Sequence, residues 1–354
     1  MKAARIYGKQ DIRIEEVARP SVGDDQVQVQ VKYVGICGSD IHMYGAGAFL
    51  PYKPNPLSGQ TVPIIEGHEI SGKVVKIGKN VKGLEVGDNV AIEPILYCGH
   101  CRNCRRGLYN YCLNAIDRNG SGNFIGESAD GGMAEYCSVP AEAAYKLPAG
   151  MDYDLGALTE PVAVAYQGIK RSGLTEGQTV AVMGAGPIGL FTATLAKLAG
   201  ATKVYITDVS DVRLAKAREM GIDHTINSAK EDAVTKIFQD LPHGVDISYD
   251  CAGVQATLDT AAAVTAMAGT IQVIAMFTKK VSVNMLMATG KGNNILTTLG
   301  YENNFETVIN IINNNQDLFR KAITKKIPLD DVVAGIKTLM SDKSQVKILV
   351  SPEM

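Results

Sequence analysis

The chain lacks the features that mark nucleic-acid-binding, membrane and secreted proteins. Its 35 Lys and Arg residues nearly balance its 37 Asp and Glu residues, so the net charge is only −2 and no strongly basic surface is expected. No apolar run reaches the ~18 residues that a membrane span requires. The first residues alternate like a strand and contain no apolar core of a signal peptide. We therefore expect a cytoplasmic protein with no nucleic-acid or membrane partner.

Without a secretory signal, the seven cysteines indicate metal ligands and free thiols rather than disulfides. Four of them follow the spacing C-x2-C-x2-C-x7-C: Cys98, Cys101, Cys104 and Cys112. Four thiolates this close together suit a closed tetrahedral zinc site. The spacing predicts one structural zinc ion in a lobe covering about 94–115. Because four cysteines already complete the tetrahedron, we expect His100 to be exposed.

The hydrophobic pattern changes near residue 155. Before it, alternating apolar residues and frequent turn residues predict a mostly-β domain. After it, near-continuous apolar strands alternate with helices, as in a doubly wound parallel sheet. The strands are expected at 179–186, 203–208, 245–253 and 270–277, with helices at 210–221 and 256–267 between them, and at 303–313 and 330–341 before a last strand at 345–350. The sequence thus predicts an α/β protein with domains 1–156 and 157–295, and with 296–354 returning to the first domain.

A glycine-rich fingerprint, GAGPIG, opens the second domain. It follows an apolar strand and precedes a helix, which is the context that a dinucleotide-binding motif requires and that an unrelated glycine turn lacks. Asp208 ends the next strand, where a carboxylate would bind both ribose hydroxyls and repel a 2′-phosphate. The motif therefore predicts NAD rather than NADP. The expected cofactor-binding residues are Gly184, Gly186, Pro187, Ile188, Gly189, Asp208 and Arg213.

Further metal-ligating residues lie in three short motifs. CGSDIH contains Cys37 and His42, GHE contains His68 and Glu69, and TEPVAVA contains Glu160. Taken singly, each has a structural reading, such as a surface His–Glu pair or a buried small thiol. Together, upstream of a cofactor fingerprint, they predict a second zinc ion, which is catalytic and has one open coordination position.

These motifs resemble the zinc-dependent medium-chain dehydrogenase/reductase family over essentially the whole chain. The family resemblance implies a GroES-like catalytic domain joined to a Rossmann domain. Glu160 and the proline after it resemble the polyol, threonine and butanediol branch of the family. Three stretches resemble the bacterial 2,3-butanediol (acetoin) dehydrogenases of that branch: MKAARIYGKQDIRIEE, IGYENNFETVINII and KKIPLDDVVAGIKTLMSDKSQVKILV.

The resemblance also implies roles for individual residues. Cys37 and His68 would be catalytic zinc ligands, while Glu69 and Glu160 both remain candidates for the third ligand and for holding the metal-bound water. Ser39 would take the proton of the bound alcohol, and His42 would pass that proton to solvent. Asp40, in the same motif, is interpreted as a local turn cap.

The implied reaction is hydride transfer between NAD and a small diol or hydroxyketone, interconverting 2,3-butanediol and acetoin, or acetoin and diacetyl, in a homodimer or homotetramer. A sorbitol-type or L-threonine dehydrogenase with the same machinery is the alternative. A non-catalytic zinc-binding scaffold is more remote, because the reactive residues are all present. The long stretch between Cys37 and His68 has four prolines, at 51, 54, 56 and 63. We expect a stiff loop there, either narrowing the substrate pocket or forming a subunit contact.

Overall fold

The computed structural model describes residues 1–115 and 123–354. They form two compact units, one of Met1–Glu160 with Glu302–Met354 and one of Pro161–Tyr301. The strands are β1 Lys2–Gly8, β2 Asp11–Glu16, β3 Gln26–Gly35, β4 Ile64–Ile65, β5 Glu69–Ile77, β6 Asn89–Ile92, β7 Tyr136–Pro140, β8 Ala144–Lys146, β9 Thr179–Met183, β10 Lys203–Asp208, β11 His224–Asn227, β12 Val245–Asp250, β13 Thr265–Val273, β14 Asn294–Thr297, β15 Ile323–Pro328 and β16 Lys347–Ser351. The helices are α1 Gly38–Ala46, α2 Tyr153–Gly156, α3 Thr159–Ser172, α4 Pro187–Leu198, α5 Asp211–Glu219, α6 Ala233–Asp240, α7 Gln255–Val264, α8 Met285–Lys291, α9 Phe305–Asn314, α10 Gln316–Arg320 and α11 Val332–Ser341.

The first unit is built mainly of β-strands. A seven-stranded sheet has the order β15-β16-β3-β5-β6-β8, with β7 also paired to β3, and a smaller sheet has the order β2-β1-β4. Alternation along β3 explains its central place, because Val27, Val29 and Val31 are fully buried while Gln30 and Lys32 are only partly so. The chain returns from the second unit to add β15 and β16 to this sheet.

The second unit is a six-stranded parallel sheet in the order β11-β10-β9-β12-β13-β14. Every neighbouring pair in it is parallel. Residues on both faces of β9 are buried, as a central parallel strand requires. The strand order reverses between β9 and β12, and ligands of doubly wound sheets bind at the carboxyl ends of the strands at such a reversal. The predicted α/β fold class is confirmed.

Two sequence expectations differ from the structure at the Ala-rich helix. The helix predicted at 256–267 is α7, which ends at Val264, and the strand expected to begin at 270 begins at Thr265. The backbone becomes extended at Thr265, with φ −70° and ψ 131°, and the Lys291 ammonium group donates to the carbonyl oxygens of Ala262, Ala263 and Thr265 at this helix end. No helix in the described part of the chain has the length and apolar character needed to cross a bilayer.

Candidate active site

The turn after β9 brings backbone close to backbone. Gly184 has φ +101°, in the left-handed region that favours glycine. A Cβ atom on Gly189 would lie 1.8 Å from the carbonyl oxygen of Gly184, so only glycine fits there. A Cβ atom on Gly186 would meet nothing within 4 Å, and Pro187 and Ile188 beside it are partly exposed. The N-terminus of α4 therefore faces open space, which fits a dinucleotide pyrophosphate.

Asp208, at the end of β10, is held in a fixed orientation. Its Oδ2 accepts the N–H of Ala185 at 2.8 Å and its Oδ1 accepts the N–H of Ser210 at 2.9 Å. The Arg213 guanidinium lies 3.7 Å from Oδ2. The structure thus brings the glycine-rich turn, the predicted acid and the predicted arginine together at one end of the sheet, where the residues fit the ribose side of a dinucleotide.

The four cysteines of the lobe come together as the spacing predicts. The sulfur atoms of Cys98, Cys101, Cys104 and Cys112 all lie within 4.8 Å of one another. Backbone N–H groups, that of Cys104 first among them, donate to the sulfur of Cys101 and lower its pKa to about 6. Four sulfur atoms at this separation fit a tetrahedral zinc ion. His100 is exposed and lies outside the cluster.

The lobe is fastened to the rest of its unit through Tyr109. The Tyr109 hydroxyl donates to Glu93 at 2.6 Å and accepts the N–H of Asn303 at 2.8 Å. The Asn303 side chain donates in turn to the carbonyl of Gly107. Glu93 is buried and also accepts a hydrogen bond from Tyr145. Each polar group in this chain of contacts therefore has a partner, which is the condition for burying it at low cost.

A second cluster forms where α1 and β5 begin. Cys37 precedes the first residue of α1, and Glu69 is the first residue of β5, directly after His68. The ligand atoms of these three residues all lie within 4.8 Å of one another. Burial alone would lower the pKa of His68, but the Cys37 thiolate and the Asp40 carboxylate raise it well above its usual value. Surroundings that favour a positive charge so strongly also fit a metal dication.

Asp40 does more than cap a turn, so the sequence-based interpretation of this residue is incomplete. Its Oδ2 accepts the N–H of Cys37 at 2.7 Å, as a capping group would. Its fully buried Oδ1 lies 3.9 Å from Nδ1 of His68. One carboxylate therefore faces two of the candidate ligands, and a carboxylate behind a ligating histidine orients the imidazole ring.

The two candidate glutamates have different surroundings. Lys347 donates to both carboxylate oxygens of Glu69, at 2.6 and 2.8 Å. Glu160, the second residue of α3, lies outside the three-residue cluster. Burial raises the pKa of Glu160 to about 7, although the positive charge of His68 opposes the shift. Glu69 is therefore a charge-compensated carboxylate near Cys37 and His68, whereas Glu160 is a nearby carboxyl that can gain or lose a proton near neutrality.

Ser39 and His42 both lie on α1, one turn apart. They therefore occupy the same side of the helix. The Ser39 hydroxyl is buried and has no hydrogen-bond partner among the described residues, while His42 is partly exposed. A buried hydroxyl beside Cys37 and an accessible imidazole one turn later fit the order expected of a proton path.

The proline-rich loop is fixed against a segment that touches His68. The Asn55 side chain accepts the N–H groups of Leu57 and Ser58, closing the loop on itself. Ser58 then donates to the carbonyl of Ser128 at 2.5 Å. Phe124, in the same segment as Ser128, packs edge-on against His68 with ring centres 6.0 Å apart. The loop is thus connected to the candidate metal cluster through the segment that contains Ser128 and Phe124.

Sequence reasoning missed two residues near this cluster. Lys347 stands in a final strand whose other residues are uncharged, and a lone charge in such a strand was the available signal. Glu66, just before the GHE motif, is fully buried, and its oxygens have no hydrogen-bond partner among the described residues. Burial raises the pKa of Glu66 well above its usual value.

Comparison with known proteins agrees with this geometry. The alcohol dehydrogenase GroES-like domain matches residues 23–149, and the zinc-binding dehydrogenase domain matches residues 187–314. The (R,R)-butanediol dehydrogenase of Bacillus subtilis is 38% identical over 99% of this chain and 100% of its own length. The chain belongs to the zinc-dependent medium-chain dehydrogenase family. Its first unit is accordingly GroES-like and its second a Rossmann domain.

The relatives in this family are zinc-type oxidoreductases of several substrates. The solved 2R,3R-butanediol dehydrogenase of Bacillus subtilis has a TM-score of 0.92 to this chain, covering 99% of both. The sorbitol dehydrogenase of Bombyx mori is 36% identical over 81% of this chain and 80% of its own. A zinc-binding dehydrogenase of Sinorhizobium meliloti, solved with NADP, is 30% identical with a TM-score of 0.90, covering 99% of both chains. The family thus establishes an oxidoreductase that uses zinc and a nicotinamide cofactor.

Proposed function

We propose that this protein oxidises a short vicinal diol with NAD, interconverting 2,3-butanediol and acetoin, and acetoin and diacetyl. The observation that carries the proposal is the cluster of Cys37, His68 and Glu69 with Glu160 beside it. The cluster provides a mixed N/O/S ligand set, and Glu160 provides a carboxyl with a pKa of about 7.

We assign Cys37, His68 and Glu69 as the residues that hold the catalytic zinc. The support is their mutual distance, within 4.8 Å, which Glu160 does not share. When bound, zinc supplies Lewis acidity at an alcohol or carbonyl oxygen, and NAD accepts or returns the hydride. Cys98, Cys101, Cys104 and Cys112 would hold the second, structural zinc ion.

Proton handling then falls to residues around the ligands. Glu160 can exchange a proton near pH 7, because its charged form is disfavoured by burial. The Ser39 hydroxyl can accept a proton from the substrate hydroxyl, and His42 can carry it to solvent. Asp40 Oδ1 lies 3.9 Å from Nδ1 of His68, where its negative charge favours a cation on the imidazole ring or beside it.

The choice of a vicinal diol rests on two supports. The butanediol dehydrogenases of Bacillus subtilis and Neisseria gonorrhoeae both match essentially the full length of this chain, at 38% and 32% identity. The second support is chemical: Glu160 offers a polar contact for a second oxygen next to the reacting one, and a simple alcohol leaves that buried group unpaired. A stiff loop at 51–63, close to this site, would favour a short substrate.

L-Threonine is a further substrate to test, because the relatives include an L-threonine 3-dehydrogenase of Idiomarina loihiensis that is 32% identical over 99% of both chains. The test is kcat/KM at one pH for the butanediol isomers, 2-butanol, sorbitol and L-threonine with NAD. We expect a butanediol isomer to exceed 2-butanol by about 10²-fold or more, the scale of discrimination when a buried hydrogen bond is lost. Sorbitol or threonine exceeding every butanediol isomer would reassign the protein within the family.

We also propose that the protein is a homo-oligomer. Strand β14 is the last strand of its parallel sheet, and an unpaired strand edge invites pairing with another chain. Large apolar side chains of the same unit are exposed nearby in sequence: Met276, Met285 and Leu286. Light scattering behind a sizing column tests this, and a monomer at micromolar concentration would contradict it.

A further inference from the structure

Lys347 is a buried cation whose three hydrogen-bond donors all have acceptors. Its side chain is only 2% exposed, and it begins a strand, β16, whose other residues are uncharged. The ammonium group donates to the carbonyl of Ile36 at 3.0 Å and to the two Glu69 oxygens at 2.6 and 2.8 Å. An ammonium group has three donors, so none is left over.

The sheet register explains why these groups meet. Strand β3 lies between β16 and β5, and Gly35 of β3 pairs with Leu349 on one side and with Glu69 on the other. A Cβ atom on Gly35 would lie only 1.8 Å from Oε2 of Glu69. The Glu69 carboxylate therefore lies over bare backbone at Gly35, and Lys347 reaches it across β3. Two residues therefore set the position of the carboxylate: Gly35 leaves space for it and Lys347 binds it.

We propose that Lys347 is a positioning residue, which holds the Glu69 carboxylate in line with Cys37 and His68 so that the metal-binding set is assembled in advance. The proposal rests on the proposed function in one respect, the assignment of Glu69 as a metal ligand. A carboxylate accepts about four hydrogen bonds or ligand contacts, and Lys347 occupies one site on each oxygen. The remaining sites stay free for the metal. Fixed partners behind ligands of this kind are worth about 10- to 100-fold in metal affinity.

Two neutral replacements separate positioning from charge. Lys347→Gln and Lys347→Met both remove the positive charge, which alone would alter the affinity for a dication. They have similar length, but only glutamine can still donate a hydrogen bond to Glu69. The affinity ratio between these two variants therefore measures positioning.

The measurements are made on full-length protein without substrate. Cobalt replaces zinc at the catalytic site, and its visible absorption reports the coordination geometry. Competition with a chelator gives the catalytic-site affinity. We expect Lys347→Met to bind metal about 10-fold or more weakly than Lys347→Gln. We also expect the cobalt spectrum to change in Lys347→Met and to stay close to wild type in Lys347→Gln. A purely structural role would alter thermal stability but not the spectrum of the folded protein.

Two further variants complete the test: Glu69→Gln, which removes the charged carboxylate, and Gly35→Ala, which displaces it. In the Glu69→Gln background the two Lys347 variants should bind metal equally, since in this proposal the effect passes through the Glu69 carboxylate and not through the Ile36 carbonyl, the other acceptor of Lys347. Gly35→Ala keeps Lys347 and its charge, but the added methyl group displaces the Glu69 carboxylate from its place over Gly35. This variant should therefore reproduce the Lys347→Met spectrum. If neither Lys347 variant folds, Gly35→Ala decides alone, and a wild-type spectrum there overturns the proposal.

Two further results overturn it: equal metal affinity of the two Lys347 variants, or a difference that persists in the Glu69→Gln background. An unchanged spectrum in Glu69→Gln itself would show that Glu69 is not a ligand. Because no substrate is present, these results stand apart from the outcome of the diol assays.

Discussion

Replacing Asp208 with asparagine tests how the adenosine end of the cofactor is selected. The Asp208 carboxylate is fixed by the N–H groups of Ala185 and Ser210, so it cannot easily turn away from a ligand. A 2′-phosphate adds about two negative charges beside the ribose. At roughly 5 Å and an effective dielectric constant of about 20, each of those charges is repelled by about 3 kcal/mol. Arg213, 3.7 Å from the carboxylate, offsets part of this repulsion. We therefore expect Asp208→Asn to raise the kcat/KM ratio of NADP to NAD by about 10²-fold.

The assay compares both cofactors in wild type and variant at one pH and at two ionic strengths. Salt screens exposed charges, so the discrimination in wild type should shrink as salt increases. Asparagine has the shape of aspartate but only one acceptor oxygen, so one of the two N–H bonds is lost and the thermal midpoint should fall by a few degrees; a cooperative thermal transition is the control that the variant is folded. A wild-type preference for NADP, or a cofactor ratio that Asp208→Asn changes by less than twofold, would refute the reasoning.

The remaining predictions concern the metals and the buried carboxyl. A chelator should abolish activity before it unfolds the protein, because the four-thiolate site has no exchangeable ligand; simultaneous loss, followed by activity and circular dichroism, would contradict this. Cys98→Ser should lower the thermal midpoint by roughly 10 °C, whereas Cys37→Ser and His68→Ala should lose activity with the fold intact; a Cys98 variant of normal stability would remove the structural role of the lobe. The folded-state pKa of Glu160 is raised to about 7, so its neutral form is the stabilised one. Metal-free protein should therefore lose stability as the pH rises from about 4.5 to about 7, by up to about 3 kcal/mol, and Glu160→Gln should remove that part of the slope in urea titrations.

Much of the fold follows from local pattern. The strand predicted at 203–208 is β10 itself, and the helix expected at 210–221 is α5, whose N-terminus Ser210 caps by accepting the N–H of Arg213. Short elements were not predictable in this way. Strands β11 and β14 have four residues each, too few for a periodic signal, and they exist because neighbouring parallel strands offer them hydrogen bonds. The carbonyl groups at the end of α7 are bonded by Lys291, which lies 26 positions beyond Thr265 and outside any local pattern.

In the candidate site too, local motifs predict some residues and tertiary contacts determine the surroundings of others. Residue type and spacing predict Cys37, His68 and the four-cysteine lobe as candidate ligands, and each set comes together in the structure, because candidate ligands grouped in short motifs are local signals. Residue type and spacing could not decide whether Glu69 or Glu160 is the third zinc ligand, since both are glutamates within or near the ligand motifs. What separates the two is a tertiary contact: Lys347, 278 positions away from Glu69, donates to that carboxylate and holds it in place. For Glu160, burial is the largest influence, and it raises the pKa to about 7. The different surroundings of the two glutamates are therefore set in part by the register of β16, β3 and β5, which brings Lys347 across Gly35 to Glu69, and no local motif encodes that register.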